Sequence, residues 1–389
     1  MVALPVNEKS VAYLVDRQAE RELQEPNRAH LGGSQIGGPC DRKLWYSFRW
    51  IREPDFDGRM LRLFARGHEE EARFARWLTG IDVEVLTTNP KTGKQFDAAI
   101  FGGHFGLAID GLARSIPEAP KTPHTLEFKT FADKYFQELK AKGVREAKPE
   151  HYAQCIIGMH LRGLTRCLYL AVNKNDDELY DERIEADPVF AEQLIERARR
   201  TIEAERPPAR LNSDPDFWHC AMCDFRYQCH FEEVAEANCR TCLHSTPVID
   251  EGGEYAAGGR WTCAKVDKFA ESIPLAVQRK GGKCPSHLLI PDLVPFARVT
   301  DATEDRVDYQ VIASDRTFAN GNEKADGCYL SRELSAMAVS QIADPGIDAL
   351  REMFDGEVVE GGPVCQACEG RATYDDVPCE TCNGTGAPF

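Results

Sequence analysis

No run of about eighteen consecutive apolar residues occurs in this 389-residue chain, so it offers no segment suited to crossing a bilayer as a helix. Met1 to Ser10 also lack the basic-then-apolar pattern of an export signal. Together these absences lead us to expect a cytoplasmic protein without a membrane partner. With no export signal, fifteen cysteines point to metal ligation instead of disulfides. A positive balance is missing as well, since 47 Lys and Arg face 63 Asp and Glu for a net charge of −16. That sum is unevenly spread. Asp301 to Gly361 holds 14 acidic and 5 basic residues, whereas Lys129 to Lys148 holds 6 basic and 3 acidic, and Arg197 to Arg210 holds 5 basic and 2 acidic. Local basic tracks of this kind suit phosphates, although solvated helix faces give the same counts.

What is present begins with length. At 389 residues with 42% apolar content, the chain is long enough for two or three domains with a sizeable core. Two apolar strand patterns, Gly106 to Leu112 and Thr125 to Thr130, carry charges inside the strand, where an unpartnered charge costs several kcal/mol on the order of its desolvation. Strand side chains alternate, so Glu127 and Lys129 share one face and Phe128 takes the other. Asp110 on a neighbouring strand would bring a second carboxylate. Two converging carboxylates suit Mg²⁺ or Mn²⁺, and a metal with a lysine can orient and deprotonate water for in-line attack on phosphorus.

The remaining pattern predicts helices over Asn7 to Gln24, Asp41 to Arg49, Gly58 to Leu78, Asp133 to Lys142, Pro149 to Arg162 and Pro188 to Glu205. Strands are expected over Val83 to Thr87, Gln95 to Phe101, Phe105 to Ala113, Thr125 to Thr130, Cys167 to Val172 and Glu178 to Ile184. This order predicts an α/β core with a mixed sheet flanked by helices. A helix is also expected over Arg332 to Ile342.

The Asp110, Glu127-x-Lys129 pattern resembles the PD-(D/E)XK nuclease superfamily. Gly67-His68-Glu69-Glu70-Glu71 resembles the first motif of its RecB-like branch, where the histidine approaches the catalytic metal; His68 and Glu71 also share a helix face. Gln154 resembles the glutamine that follows the Glu-x-Lys strand, while Gly158 stands where members often carry tyrosine. Cys220, Cys223 and Cys229 form a Cys-x2-Cys-x5-Cys array, and Cys40 upstream completes the arrangement of iron–sulfur nucleases, including those of CRISPR adaptation. Four thiolates suit a [4Fe-4S] cluster or zinc, and the resemblance implies iron.

A second set, Cys239, Cys242, Cys263 and Cys284, fits a zinc ribbon, with His244 and His287 as alternative ligands and metal-free cysteines as the other reading. Cys365, Cys368, Cys379 and Cys382 resemble half of a DnaJ-type zinc module. The expected organisation is a nuclease core at 1–235, a zinc-ribbon-like module at 236–295, an acidic mixed segment at 296–361 and a zinc tail at 362–389. The resemblance implies a Mg²⁺- or Mn²⁺-dependent DNA exonuclease acting on single strands or duplex ends. Asp110, Glu127 and His68 would hold the cation, Lys129 would serve the water and Gln154 would support the site. The layout is also similar to bacteriophage recombination and replication nucleases, which implies proteins of those processes as partners. Alternatives are a nucleic-acid- or protein-binding adaptor and a structure-specific endonuclease.

Overall fold

The computed structural model describes residues 10–249, 258–323 and 327–359, together with the backbone pairing of 373–374 with 377–378. Cys365, Cys368, Cys379 and Cys382 lie outside the described residues. In chain order the elements are α1 Val11–Leu23, β1 Leu31–Gly32, α2 Asp41–Arg49, α3 Gly58–Thr79, β2 Glu84–Leu86, β3 Phe96–Ile100, β4 Phe105–Ile109, β5 Gly111–Arg114 and β6 His124–Phe131. There follow α4 Asp133–Ala147, α5 Pro149–Arg162, β7 Arg166–Asn173, β8 Leu179–Glu185, α6 Pro188–Glu203, α7 Trp218–Ala221, α8 Arg226–His230, β9 Ser245–Val248 and β10 Arg260–Cys263. The rest are α9 Leu275–Lys280, β11 Ala297–Ala302, β12 Arg306–Val311, β13 Thr317–Gly321, β14 Cys328–Tyr329, α10 Ser331–Ala336, α11 Pro345–Phe354, β15 Thr373–Tyr374 and β16 Val377–Pro378. No helix among the described residues is long and apolar enough to cross a membrane.

The chain divides into two compact units, Met1–Arg226 with Ser245–Leu275, and Tyr227–His244 with Ala276–Phe389. In the first, a five-stranded sheet runs β2-β5-β6-β7-β8. Only β6 and β7 are parallel; the other neighbours are antiparallel. One face carries Phe131, Phe136, Leu139, Tyr152, Ile156, Met159 and Tyr169, which pack α4 and α5 against the sheet. The opposite face carries Phe74 and Leu78 of α3 against Leu126, Phe128, Leu168 and Leu170. Cover on both faces explains why Cys167 to Asn173 of β7 is buried throughout, as strands in parallel pairs commonly are. This is the mixed α/β architecture, sheet flanked by helices, that the sequence leads one to expect.

One strand expectation changes. The strand expected over Phe105 to Ala113 is broken at Asp110: β4 pairs with β1 and β3 in a three-stranded sheet, while β5 belongs to the five-stranded one. Gly111 permits the crossing, because a Cβ there would sit 2.8 Å from the Leu86 carbonyl oxygen. The apolar stripe of α1 does not turn inward, and Val11, Leu14, Val15 and Leu23 are all exposed. α1 instead meets the start of α3 through polar groups. Glu20 accepts from the Gly58 N–H at 3.0 Å, and Asp16 pairs with Arg62.

The second unit holds a four-stranded sheet, β11-β12-β13-β14. Its core gathers Val307, Tyr309, Phe318, Tyr329 and Leu334. Buried Glu333 is neutralised by Arg351, with Nε to Oε1 at 2.9 Å and Nη2 to Oε2 at 2.9 Å, as a buried carboxylate requires. The helix expected over Arg332 to Ile342 shortens to α10, Ser331–Ala336.

Candidate active site

Asp110 marks the point where the chain changes sheets, and β6 lies beside it through the Gly111↔Leu126 register. The Phe128 N–H donates to Asp110 Oδ2 at 2.6 Å, which fixes the carboxylate against the strand carrying Glu127 and Lys129. On the same face, the Lys129 ammonium donates to Glu127 Oε1. Gln154 of α5 donates through Nε2 to Glu127 Oε2 at 3.0 Å. α3 brings His68 and Glu71 within electrostatic reach of Asp110. The structure therefore brings Asp110, Glu127, Lys129 and Gln154 together through hydrogen bonds at β6, with His68 on α3 in electrostatic reach of Asp110.

Charge is the distinctive property of this place. Glu127 is 2% exposed, and burial first, then Asp110 and Glu71, push its carboxyl up to about 7 against the pull of Lys129. Asp110 is raised by burial, opposed by Lys129, the Phe128 N–H and His68. Glu71 is raised by burial and then by Asp110. Burial disfavours the Lys129 ammonium too, but Glu127 and Asp110 outweigh it and hold the lysine above its ordinary range. Three carboxyl groups thus share one ammonium, and each holds its proton more tightly than an ordinary carboxyl. A hard divalent cation has to displace such protons to bind.

Glu71 is the acidic member not assigned a role from sequence; its three-residue spacing from His68 was the available signal. Beside Glu127 stands a further pair hidden from pattern reading, His151 of α5 and Tyr169 of β7, joined through Nδ1 and the hydroxyl at 2.8 Å. The parallel register that sets Tyr169 beside Glu127 is a tertiary fact. At Gly158 a Cβ would approach Ile109 Cγ2 at 3.2 Å, so any side chain there requires the isoleucine to give way.

Among the described residues, no three His, Cys, Asp or Glu side chains form a group ready to hold a metal ion. Mg²⁺ takes one or two protein carboxylates and completes its octahedron with water and substrate phosphate; Asp110 and Glu127 are the carboxylates here that could serve it. The cysteines stand less close to a complete set. Cys40 caps α2, its sulfur accepting from the Lys43 N–H at 3.4 Å. Its thiol is near enough to Cys223 to raise that thiol, which burial already pushes up and the Phe225 N–H and Lys43 pull down. The Cys223 N–H donates to the Cys220 carbonyl at 3.1 Å. Cys229 belongs to the second unit. There the Cys242 N–H donates to the Cys239 carbonyl at 3.3 Å, and Gly281 lies so close that a Cβ would sit 2.4 Å from the Cys239 sulfur. Cys284 is in the same unit, and Cys263 is on β10 of the first.

The chain matches no protein-family model and no curated protein. Similar solved structures include the alkaline exonuclease (LHK-Exo) of Laribacter hongkongensis, 16% identical over 48% of this chain and 90% of that one, at a TM-score of 0.34. The same exonuclease in complex with dAMP is 16% identical over 45% and 87%, at 0.32. The structure of SSO0001 is 14% identical over 57% and 97%, at 0.34. Similarities of this size establish no activity, so the site's own geometry has to support any functional reading.

Proposed function

We propose that this protein is a metal-dependent deoxyribonuclease of the RecB-like PD-(D/E)XK kind, acting as an exonuclease on single strands or duplex ends. The observation behind this reading is the convergence of Asp110, Glu127, Lys129 and Gln154, with His68 and Glu71 on α3 in electrostatic reach of them. Asp110 and Glu127 would hold Mg²⁺ or Mn²⁺, with His68 approaching from α3. The cation, when bound, would supply Lewis acidity at the phosphoryl group and lower the pKa of a bound water. Gln154 holds one oxygen of Glu127 and so fixes how that carboxylate is presented. Lys129 is a fixed cation beside the same carboxylate, suited to steadying an attacking water and the charge that develops on a non-bridging oxygen.

Labelled linear and circular single-stranded DNA, and linear duplex, incubated with and without Mn²⁺, test the reading. We expect metal-dependent release of nucleotides from linear substrates and an intact circle. Nicking of the circle would indicate an endonuclease; retention without any cleavage would indicate an adaptor. Lys129→Ala is expected to lower the rate by about a hundredfold or more, the usual effect of removing one electrostatic stabiliser. A wild-type rate in that variant would remove Lys129 from the chemistry.

On the strength of the sequence resemblance we also propose that Cys40, Cys220, Cys223 and Cys229 bind a [4Fe-4S] cluster, and that the later cysteine sets bind zinc. Anaerobic purification should give brown protein with about four irons per chain, the stoichiometry of such a cluster. Cys40→Ala should lose the colour and the iron, and colourless iron-free wild type would rule the cluster out.

A further inference from the structure

Beyond Lys129, the end of β6 leads to two cations that the fold leaves without ion-pair partners. Lys140 is paired with Glu178 and Lys142 with Glu138. Lys134 and Lys148, by contrast, form no ion pair among the described residues. Both approach one ring: Lys148 Nζ lies 4.6 Å and Lys134 Nζ 5.8 Å from the centroid of Tyr135. Of the acidic residues near them, Asp133 accepts from Gln137 Nε2 at 3.2 Å and Asn173 Nδ2 at 3.0 Å, and Glu138, within electrostatic reach of both lysines, is ion-paired with Lys142.

This cationic corner is continuous with the active site. Lys148 Nζ also lies 5.4 Å from the ring of Phe131, which is on the Lys129 face of β6, about 7 Å further along by strand geometry. Phe131 in turn packs 5.9 Å from His151. Burial first, then Lys129 and Lys148, push the His151 imidazole down to about 3. His151 is therefore uncharged at neutral pH. Its Nδ1 shares a hydrogen bond with the Tyr169 hydroxyl at 2.8 Å, in which either group can donate according to the imidazole tautomer. An uncharged imidazole in electrostatic reach of Lys129 and Lys148 leaves those two ammonium groups as the cations of this stretch. Tyr135, bracketed by ammonium groups, still leaves 48% of its surface exposed. An exposed aromatic ring between unpaired cations is the combination that single-stranded nucleic acid uses for stacking and backbone neutralisation.

We propose that Lys134, Tyr135 and Lys148 seat a single-stranded segment of the DNA next to the scissile phosphate, the two lysines neutralising backbone phosphates and Tyr135 stacking on an unpaired base. This site rests on the nuclease reading and adds to it a substrate form, a strand already separated from its complement. Substrates with a single-stranded end should bind more tightly than blunt duplexes of equal length.

The full-length protein and a fluorescent single-stranded oligodeoxynucleotide provide the test. Anisotropy is read over a series of NaCl concentrations with Ca²⁺ in place of Mn²⁺, and cleavage is then followed with Mn²⁺. Lys134→Ala with Lys148→Ala should weaken binding roughly tenfold and make the slope of log affinity against log salt shallower by about 1.4, near 0.7 for each single-strand phosphate that is no longer neutralised. KM should rise with kcat held within about twofold, the pattern expected when uniform binding is removed. Tyr135→Ala should weaken binding with the slope unchanged, and Tyr135→Phe should restore it. Lys134→Arg with Lys148→Arg should bind like wild type. Wild-type affinity and slope in the double alanine variant, or a fall in kcat with KM unchanged, would overturn the seat while an active wild type left the nuclease reading standing. A wild type that neither binds nor cleaves DNA would overturn both.

Discussion

Glu127→Gln is expected to lower Mn²⁺-supported DNA hydrolysis by about a thousandfold or more, the size of effect seen when a group central to the chemistry is removed. Unfolding should remain cooperative, because glutamine keeps the shape of the side chain. Glu127 is buried and its carboxyl is pushed up to about 7 by burial, with Asp110 and Glu71 adding to the push and Lys129 opposing it. A carboxyl raised in the folded state holds its proton more tightly there than in the unfolded chain. In metal-free protein its contribution to stability is therefore present at low pH and lost as pH rises from the ordinary carboxylate range through about 7. A cation has to displace that proton, so metal affinity must increase with pH across the same window. The thermal shift produced by Mn²⁺ should thus be larger at pH 8 than at pH 6, and hydrolysis should follow it. In Glu127→Gln the pH dependence of the shift should largely disappear. A wild-type rate in that variant would detach Glu127 from the reaction, and a metal shift indifferent to pH in the wild type would contradict the buried, protonated carboxyl.

The parts of this arrangement that could be read in the sequence are those set by strand alternation and helix spacing. Glu127 and Lys129 share a face because they are two apart on β6, and His68 and Glu71 share one because they are three apart on α3. α2 begins and ends where its pattern places it, Asp41–Arg49. What could not be read depends on contacts between distant segments. Asp110 falls between two sheets instead of within one strand, because the packing of Gly111 against β2 decides where the crossing occurs. The His151–Tyr169 bond requires the parallel register of β6 with β7. The outward stripe of α1 has the same origin: periodicity marks which residues form a stripe, but only the polar groups that receive the helix decide which side faces in. The unpaired state of Lys148 is likewise invisible in the chain, where acidic residues lie on both sides of it.

Phe74→Ala is expected to destabilise the first unit by about 3–5 kcal/mol, the usual cost of emptying a phenylalanine site in a core, which for a unit of this size lowers its midpoint by on the order of 10 °C. Phe74 is 1% exposed, and its ring stacks on Phe128 at 4.9 Å and 13°. Phe128 is also the residue whose N–H holds Asp110. One aromatic pair thus fixes α3, with His68 and Glu71, against the strand carrying Glu127 and Lys129. Losing the ring should shift α3 relative to Asp110, and a displacement of about 1 Å is enough to cost up to a hundredfold in rate. Phe74→Leu, which refills most of the volume, should recover much of both losses. Phe318→Ala separates positioning from simple destabilisation, since Phe318 is a comparably buried ring stacked on Tyr309 at 5.1 Å and 11° in the second unit. That variant should lose stability of the same order while its Mn²⁺-supported rate, measured well below the midpoint, stays near wild type. If Phe74→Ala lowers the melting midpoint yet cleaves DNA at the wild-type rate, α3 does not position the site, and His68 and Glu71 have no part in it.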